Sequence, residues 1–194
     1  MAMTDDQHLI ETPLHTEQLL RGNFLDVRRD TVRLPTGDTA TREYIVHPGA
    51  VAIVPLLDDG RIVMERQYRA PLRQVLLEFP AGKMDPGEGG KATAIRELAE
   101  ETGYRAREWA RACITHNAVA YSTEGIEIWF ARGLTLGERD LDHGEHIDVC
   151  LMPADELYAM AARGELTDAK TLIGLLWLQR WQSGEWALQW QPAD

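Results

Sequence analysis

Cysteine is scarce in this 194-residue chain: there are two, Cys113 and Cys150, far apart and without metal-ligand spacing. That argues against a disulfide framework and points to a reducing compartment, with both thiols as small buried hydrophobes. Basic excess is missing too. A formal net charge of -11 argues against a general nucleic-acid binder, which presents a basic face. It leaves phosphate esters open, because a bound divalent ion outweighs the global field locally. No apolar run approaches the length of a membrane span, and the polar start, Met1 to Glu17, has no signal-peptide core. Internal repeats and low-complexity tracts are also absent. The expectation is a soluble cytoplasmic chain with one core and a small appendage.

Acid is what the chain has, and it is concentrated. Between Gly82 and Gly103 stand Glu88, Arg96, Glu97, Glu100 and Glu101. If Gly90 to Thr102 is a helix, Glu97 shares a face with Glu100 at i,i+3 and with Glu101 at i,i+4, and like charges at those spacings repel. A cation resolves the repulsion. Ile95, Leu98 and Ala99 form an apolar stripe that would hold the helix on a core. Oxygen-only ligands suit hard divalent ions, with magnesium or manganese as candidates. Gly103 follows the last helical residue, where a glycine adopts the left-handed conformation cheaply. An acidic solvated face laced with pairs such as Arg96 to Glu100 would not require Gly82, Glu88 and Gly103 at their spacings.

Gly82, five residues, Glu88, seven residues, then Arg96-Glu97-Leu98-Ala99-Glu100-Glu101-Thr102-Gly103-Tyr104 resembles the box of the Nudix family, G-x5-E-x7-R-E-U-x-E-E-x-G-U with U bulky and aliphatic. Its seven fixed positions are all filled across a 23-residue span; Tyr104 at the final U is the one departure. The resemblance implies a loop-helix-loop in which Glu97, Glu100 and Glu101 face a divalent metal. Arg96 would orient a glutamate, and Glu88 would support the loop from the N-terminal side.

Along the chain, residues 1 to 17 read as poorly ordered. Asn23 to Val46 reads as an antiparallel hairpin or meander broken at Pro35-Thr36-Gly37-Asp38. Ala50 to Leu57 and Arg61 to Arg69 form a second hairpin around Asp58-Asp59-Gly60. Strands follow at Ala112 to Ala118, Gly125 to Ala131 and Ile147 to Met152, then helices at Ala154 to Arg163 and Ala169 to Gln182. The expected class is α/β (α+β): a mixed sheet enclosed by helices, preceded by a small antiparallel β domain. That agrees with the α/β/α sandwich the box implies. The division is a flexible stretch at 1–17, a strand-built dimerisation domain at 18–47 and a hydrolase domain at 48–194.

Flanking segments resemble the ADP-ribose pyrophosphatase group of that family: Thr41-Arg42-Glu43, His47-Pro48-Gly49-Ala50-Val51, Glu65-Arg66-Gln67-Tyr68-Arg69, Leu77-Glu78-Phe79-Pro80-Ala81-Gly82 and Thr171-Leu172-Ile173. The likeness runs from about residue 19 to 181. It implies a homodimer that exchanges its N-terminal strands and lines the cleft from both subunits. Arg42 would sit near the adenine end, Arg69 near the diphosphate, and Glu78 in the cleft wall; arginine suits phosphate because its planar fork binds two oxygens. The Ala81 carbonyl would be a metal ligand. Glu145, in the loop from Asp140 to His146, would reach the metals or deprotonate the attacking water, with Glu100 as the alternative base. Tyr68 reads as core.

The implied reaction is magnesium-dependent hydrolysis of ADP-ribose to AMP and ribose 5-phosphate, with no nucleic-acid or membrane partner. Val119-Ala120 stands where the group has a Pro-Gly loop, which frees φ at one position and disfavours positive φ at the next. Glu124 at the end of that loop could accept from sugar hydroxyls. GDP-mannose or another nucleotide sugar is the alternative substrate, and a ligand-binding sensor with weak turnover is the alternative class.

Overall fold

The computed structural model describes residues 6–141 and 144–193. Its chain divides into two units: one runs up to Pro48 and adds Ala118–Glu124, the other takes Gly49–Asn117 and Gly125 onward.

In the first unit a 3-10 turn at Asp6–Leu9 precedes β1 (Thr12–Arg21), β2 (Asp26–Arg33) and β3 (Thr39–Val46), an antiparallel sheet in that order. The predicted break is a tight turn, with Leu34 N–H donating to the Asp38 carbonyl at 2.8 Å and Gly37 at φ 97°. The expectation of disorder at 1–17 does not hold over Thr12 to Glu17, which lies in β1. The polar side chains that made this stretch look unstructured bond across strands: Thr16 Oγ1 donates to Asp30 at 2.6 Å, and Glu17 accepts from Arg29 at 3.0 Å. Ala118–Glu124 lies along β3, with Ile45 N–H donating to the Tyr121 carbonyl at 2.9 Å and Thr123 N–H to the Ile45 carbonyl at 3.0 Å.

The second unit contains β4 (Ala50–Leu56), β5 (Arg61–Arg69), β6 (Gln74–Glu78), β7 (Ala81–Lys83), α1 (Gly90–Thr102) and β8 (Tyr104–Arg105). It continues with β9 (Glu108–Thr115), β10 (Ile126–Arg132), β11 (Thr135–Leu136), β12 (Ile147–Pro153), α2 (Ala154–Ala162), α3 (Ala169–Gln182) and β13 (Gln191–Pro192). A mixed sheet runs β12-β5-β4-β10-β9-β13, with β6 on β5 and β7 on β4. Period two explains the layers. Val51 and Ile53 of β4 join Trp129 and Ala131 of β10 against Ala94 and Leu98 of α1. Ala52 and Val54 join Ile128 and Phe130 against Leu157 of α2 and Leu175 and Leu178 of α3. The result is the expected α/β/α sandwich.

The hairpin read at 50–69 exists only at its mouth, where Leu56 pairs with Ile62. Beyond it β4 takes parallel β10 and antiparallel β7, while β5 takes β12 and β6. β10, β7 and β12 lie far along the chain from their partners, so local alternation could not announce them; β6 is the next strand after β5. Phe79-Pro80 crosses the split from β6 to β7, tied by Ile53 N–H to the Pro80 carbonyl at 2.8 Å. That crossing delivers Ala81 and Gly82 beside α1.

Candidate active site

The helix α1 occupies the predicted span and ends as predicted. Gly103 has φ 76° and its N–H returns to the Ala99 carbonyl at 2.9 Å. Leu98 and Ala94 are buried against the sheet, which turns the acidic side of the helix toward β7. Gly82 is required there sterically: a Cβ at this position would lie 1.9 Å from Glu97 Cδ. The box glycine therefore exists to let a carboxylate rest against backbone.

Arg96 is the hub. Its Nε and Nη2 fork onto Glu88 at 3.1 and 2.9 Å, Nη1 reaches Glu97 at 2.8 Å and Glu100 at 2.9 Å, and Nη2 also donates to the Lys83 carbonyl at 3.2 Å. Glu88 further accepts from Thr93 Oγ1 at 2.9 Å, and the Arg96 guanidinium holds its pKa down at about 2. The loop and the helix are thus clamped by one cation. For Glu97 burial outweighs Arg96 and pushes its pKa up to about 7.

Glu101 is 4% exposed, and its Oε2 accepts from Ala81 N–H at 3.0 Å. Burial raises its pKa, and the neighbouring Glu65 raises it further. Glu65, on β5, is a site residue that the sequence reading passed over. It is 3% exposed, hydrogen-bonded to Glu101, and its Oε1 has no hydrogen-bond partner among the described residues. The signal was available: one acid ends the buried run Ile62-Val63-Met64-Glu65.

Glu145 is half-buried, and its charge raises the pKa of Glu65, Glu97 and Glu101 alike. Four acids thus sense one another across β5, α1 and the loop before β12. A groove of about 340 Å³ beside Glu145 is lined by Arg66, Tyr68, Val75 and His146. Tyr68, read as core, is exposed on its rim. The Asp142 of this loop lies outside the described residues.

Arg69 and Glu78 meet directly. Nε and Nη2 of Arg69 fork onto the two Glu78 oxygens, each at 2.8 Å. Glu78 is 2% exposed and also takes Lys170 of α3, which reaches Asp168 at 3.0 Å. Despite its burial these cations lower the Glu78 pKa. Glu78 is therefore saturated, and Arg69 keeps Nη1 outside the fork. Lys170 was not foreseen. Asp168 caps α3 through Thr171 N–H at 2.9 Å, and Thr171 Oγ1 accepts from Phe79 N–H at 3.1 Å, so the helix start is locked to the β6 end.

Arg42 and Glu124 belong to the first unit. Arg42 Nε donates to Glu11 at 3.0 Å, and Glu124 lies 3.7 Å from His47 Nε2. Arg42, Glu43 and Tyr44 line a hollow of about 360 Å³ with Val119 and Ala120.

Among the described residues no three His, Cys, Asp or Glu side chains stand close enough to enclose an ion as they are. Arg96 holds Glu97 and Glu100, and Ala81 N–H holds one Glu101 oxygen. The donors are all oxygen, two of the carboxylates are buried together, and one buried oxygen is unpartnered. This set fits a hard divalent cation.

A model of the NUDIX domain matches residues 46–175, and one of the nucleoside diphosphate sugar hydrolase N-terminal domain matches residues 11–45. An ADP-ribose pyrophosphatase of Bacillus subtilis is 35% identical over 88% of this chain and 94% of its own length. A methanol dehydrogenase activator of Bacillus methanolicus is 38% identical over 87% and 92%. A crystal structure of an ADP compounds hydrolase superposes with a TM-score of 0.81 at 24% identity, covering 90% of this chain and 95% of that one.

Proposed function

The chain belongs to the NUDIX hydrolase family, and from that premise we propose that it hydrolyses ADP-ribose to AMP and ribose 5-phosphate. The observation that carries this is the Arg96 clamp, which sets Glu97 beside the buried Glu101 at Ala81-Gly82. The name of the B. subtilis relative supports the choice of substrate.

Glu97, Glu101 and the Ala81 carbonyl would hold magnesium, or manganese in its place, with Glu100 and Glu145 within reach of the same site. The bound ion supplies charge that offsets the diphosphate and lowers the pKa of water. Arg96 keeps Glu97 and Glu100 turned inward. Glu145 takes the proton of the attacking water, with Glu100 as the alternative base; the water oxygen bonds to one phosphorus as the bridging P–O bond breaks, and the other phosphate leaves with the electron pair of that bond. Arg69, aimed by Glu78, meets a diphosphate oxygen. Arg42 serves the adenine end and Glu124 the sugar hydroxyls.

The functional form is a cytoplasmic homodimer. Residues 18–47 provide the exchanged strands and 48–194 the hydrolase. Leu14, Leu19, Leu20 and Phe24 are exposed in the single chain, and a second copy would cover them. No helix of the described chain is long and apolar enough to cross a membrane.

Equal concentrations of ADP-ribose, GDP-mannose, NADH, diadenosine polyphosphates and 8-oxo-dGTP, incubated with magnesium and resolved by anion exchange, test the substrate. ADP-ribose is expected to give AMP with the highest kcat/KM. A tenfold preference for GDP-mannose would make the chain a nucleotide-sugar hydrolase. No hydrolysis of any of them would favour a binding module.

A further inference from the structure

Two carboxyl groups buried in contact are costly unless something positive lies between them. Glu65 and Glu101 are such a pair: both are shut off from solvent, hydrogen-bonded to each other, and carried on different elements, β5 and α1. Glu101 Oε2 has the Ala81 N–H, whereas Glu65 Oε1 has no hydrogen-bond partner among the described residues. Among the described residues no cation pairs with either carboxyl group: Arg139 acts on Glu65 through its charge, and its Nη2 donates to the Ile147 carbonyl at 2.7 Å. Glu97 and Glu145 add negative charge to the same pair.

A shared proton would satisfy the contact between the two groups and still leave Glu65 Oε1 bare. A divalent ion would use that oxygen. We propose that Glu65 is an additional cation ligand, reaching the box site from β5 opposite Glu101. This rests on the reading of the box as a divalent-cation site and adds a donor from outside it. The register supports the placement: Glu65 pairs with Glu78 of β6, the residue immediately before Phe79-Pro80, the crossing that leads to Ala81. One strand thus backs both the arginine anchor and the ion.

The two roles of Glu65 separate under Glu65→Gln. Glutamine reproduces a protonated carboxyl that donates to Glu101, but it cannot reproduce a ligating carboxylate. Titration of the full-length protein with Mn2+, followed by the EPR signal of the free ion, reads this without turnover. Glu65→Gln is expected to weaken Mn2+ binding by about tenfold or more, or to remove one ion per chain, and to shrink the thermal shift caused by Mg2+. Mn2+ binding of wild-type affinity and stoichiometry would overturn the proposal. If Glu65→Gln did not fold, judged by circular dichroism, Glu65→Asp would carry the test. Its shorter reach should shift Mn2+ affinity while charge is kept, and unchanged binding would equally overturn the assignment. A wild-type chain that bound no Mn2+ would instead defeat the box reading itself. Loss of Mn2+ in Glu97→Gln with none in Glu65→Gln would defeat only the role of Glu65.

Discussion

The carboxylate of Glu97 occupies the space where a side chain at Gly82 would begin, with Oε1 also 1.9 Å from that Cβ position. Gly82→Ala must therefore displace either the β7 backbone or the glutamate. Stability should fall by about 1–3 kcal/mol, the usual result of overpacking. Turnover should fall about a hundredfold, because a ligand moved by an ångström is misplaced for chemistry. Thermal melts with steady-state rates check this, and a variant of wild-type activity would mean that the close approach is dispensable.

Opposite pKa shifts give the metal-free protein two pH windows. The folded pKa of Glu97 is raised from 4.5 to about 7. Between those values the folded state binds more protons than the unfolded, so the group costs stability as pH rises. Glu88 is lowered from 4.5 to about 2; its stabilisation is present above 4.5 and is lost as pH falls through 2. Melting temperature in chelator should therefore decline from about pH 5 toward 7 and also below about pH 4. Magnesium should remove the upper decline by stabilising the charged carboxylates. A flat chelator profile from pH 5 to 7 would contradict the burial of Glu97.

Lys170 is expected to act through Glu78 on Arg69. Lys170→Met leaves a buried carboxylate with one cation fewer and should cost about 3 kcal/mol. Adding Glu78→Gln should recover much of that stability, because the unpaired charge is gone. KM for ADP-ribose should remain raised in the double variant, since Arg69 has lost its ionic anchor. Recovery of KM together with stability would reduce Lys170 to a structural role.

Glu145→Gln should lower kcat much more than it changes KM, the signature of a contact made chiefly in the transition state. An unchanged kcat would move the base to Glu100.

The box was legible because its spacing maps directly onto one local helix: Gly90–Thr102 and the Gly103 stop follow from short-range rules, and the Arg96–Glu100 ion pair follows from i,i+4 geometry. Residues whose meaning depends on a distant strand were harder. Glu65 lies 36 residues from Glu101 and Lys170 lies 92 from Glu78 in sequence, and only the fold brings each pair together. The split of β4 from β5 has the same origin, as does β1, held by cross-strand polar pairs. Glu78 was placed in the cleft wall by resemblance; its place in a buried ion network recasts it as the anchor of Arg69.

The most direct test of the account is ADP-ribose hydrolysis as magnesium is titrated, in the wild type and in Glu97→Gln. The wild type should be inactive in chelator and should saturate with magnesium. Glu97→Gln should fold normally, need far more magnesium, and turn over slower by about a hundredfold or more. Equal rates for both proteins, or wild-type hydrolysis that persists in chelator, would contradict it.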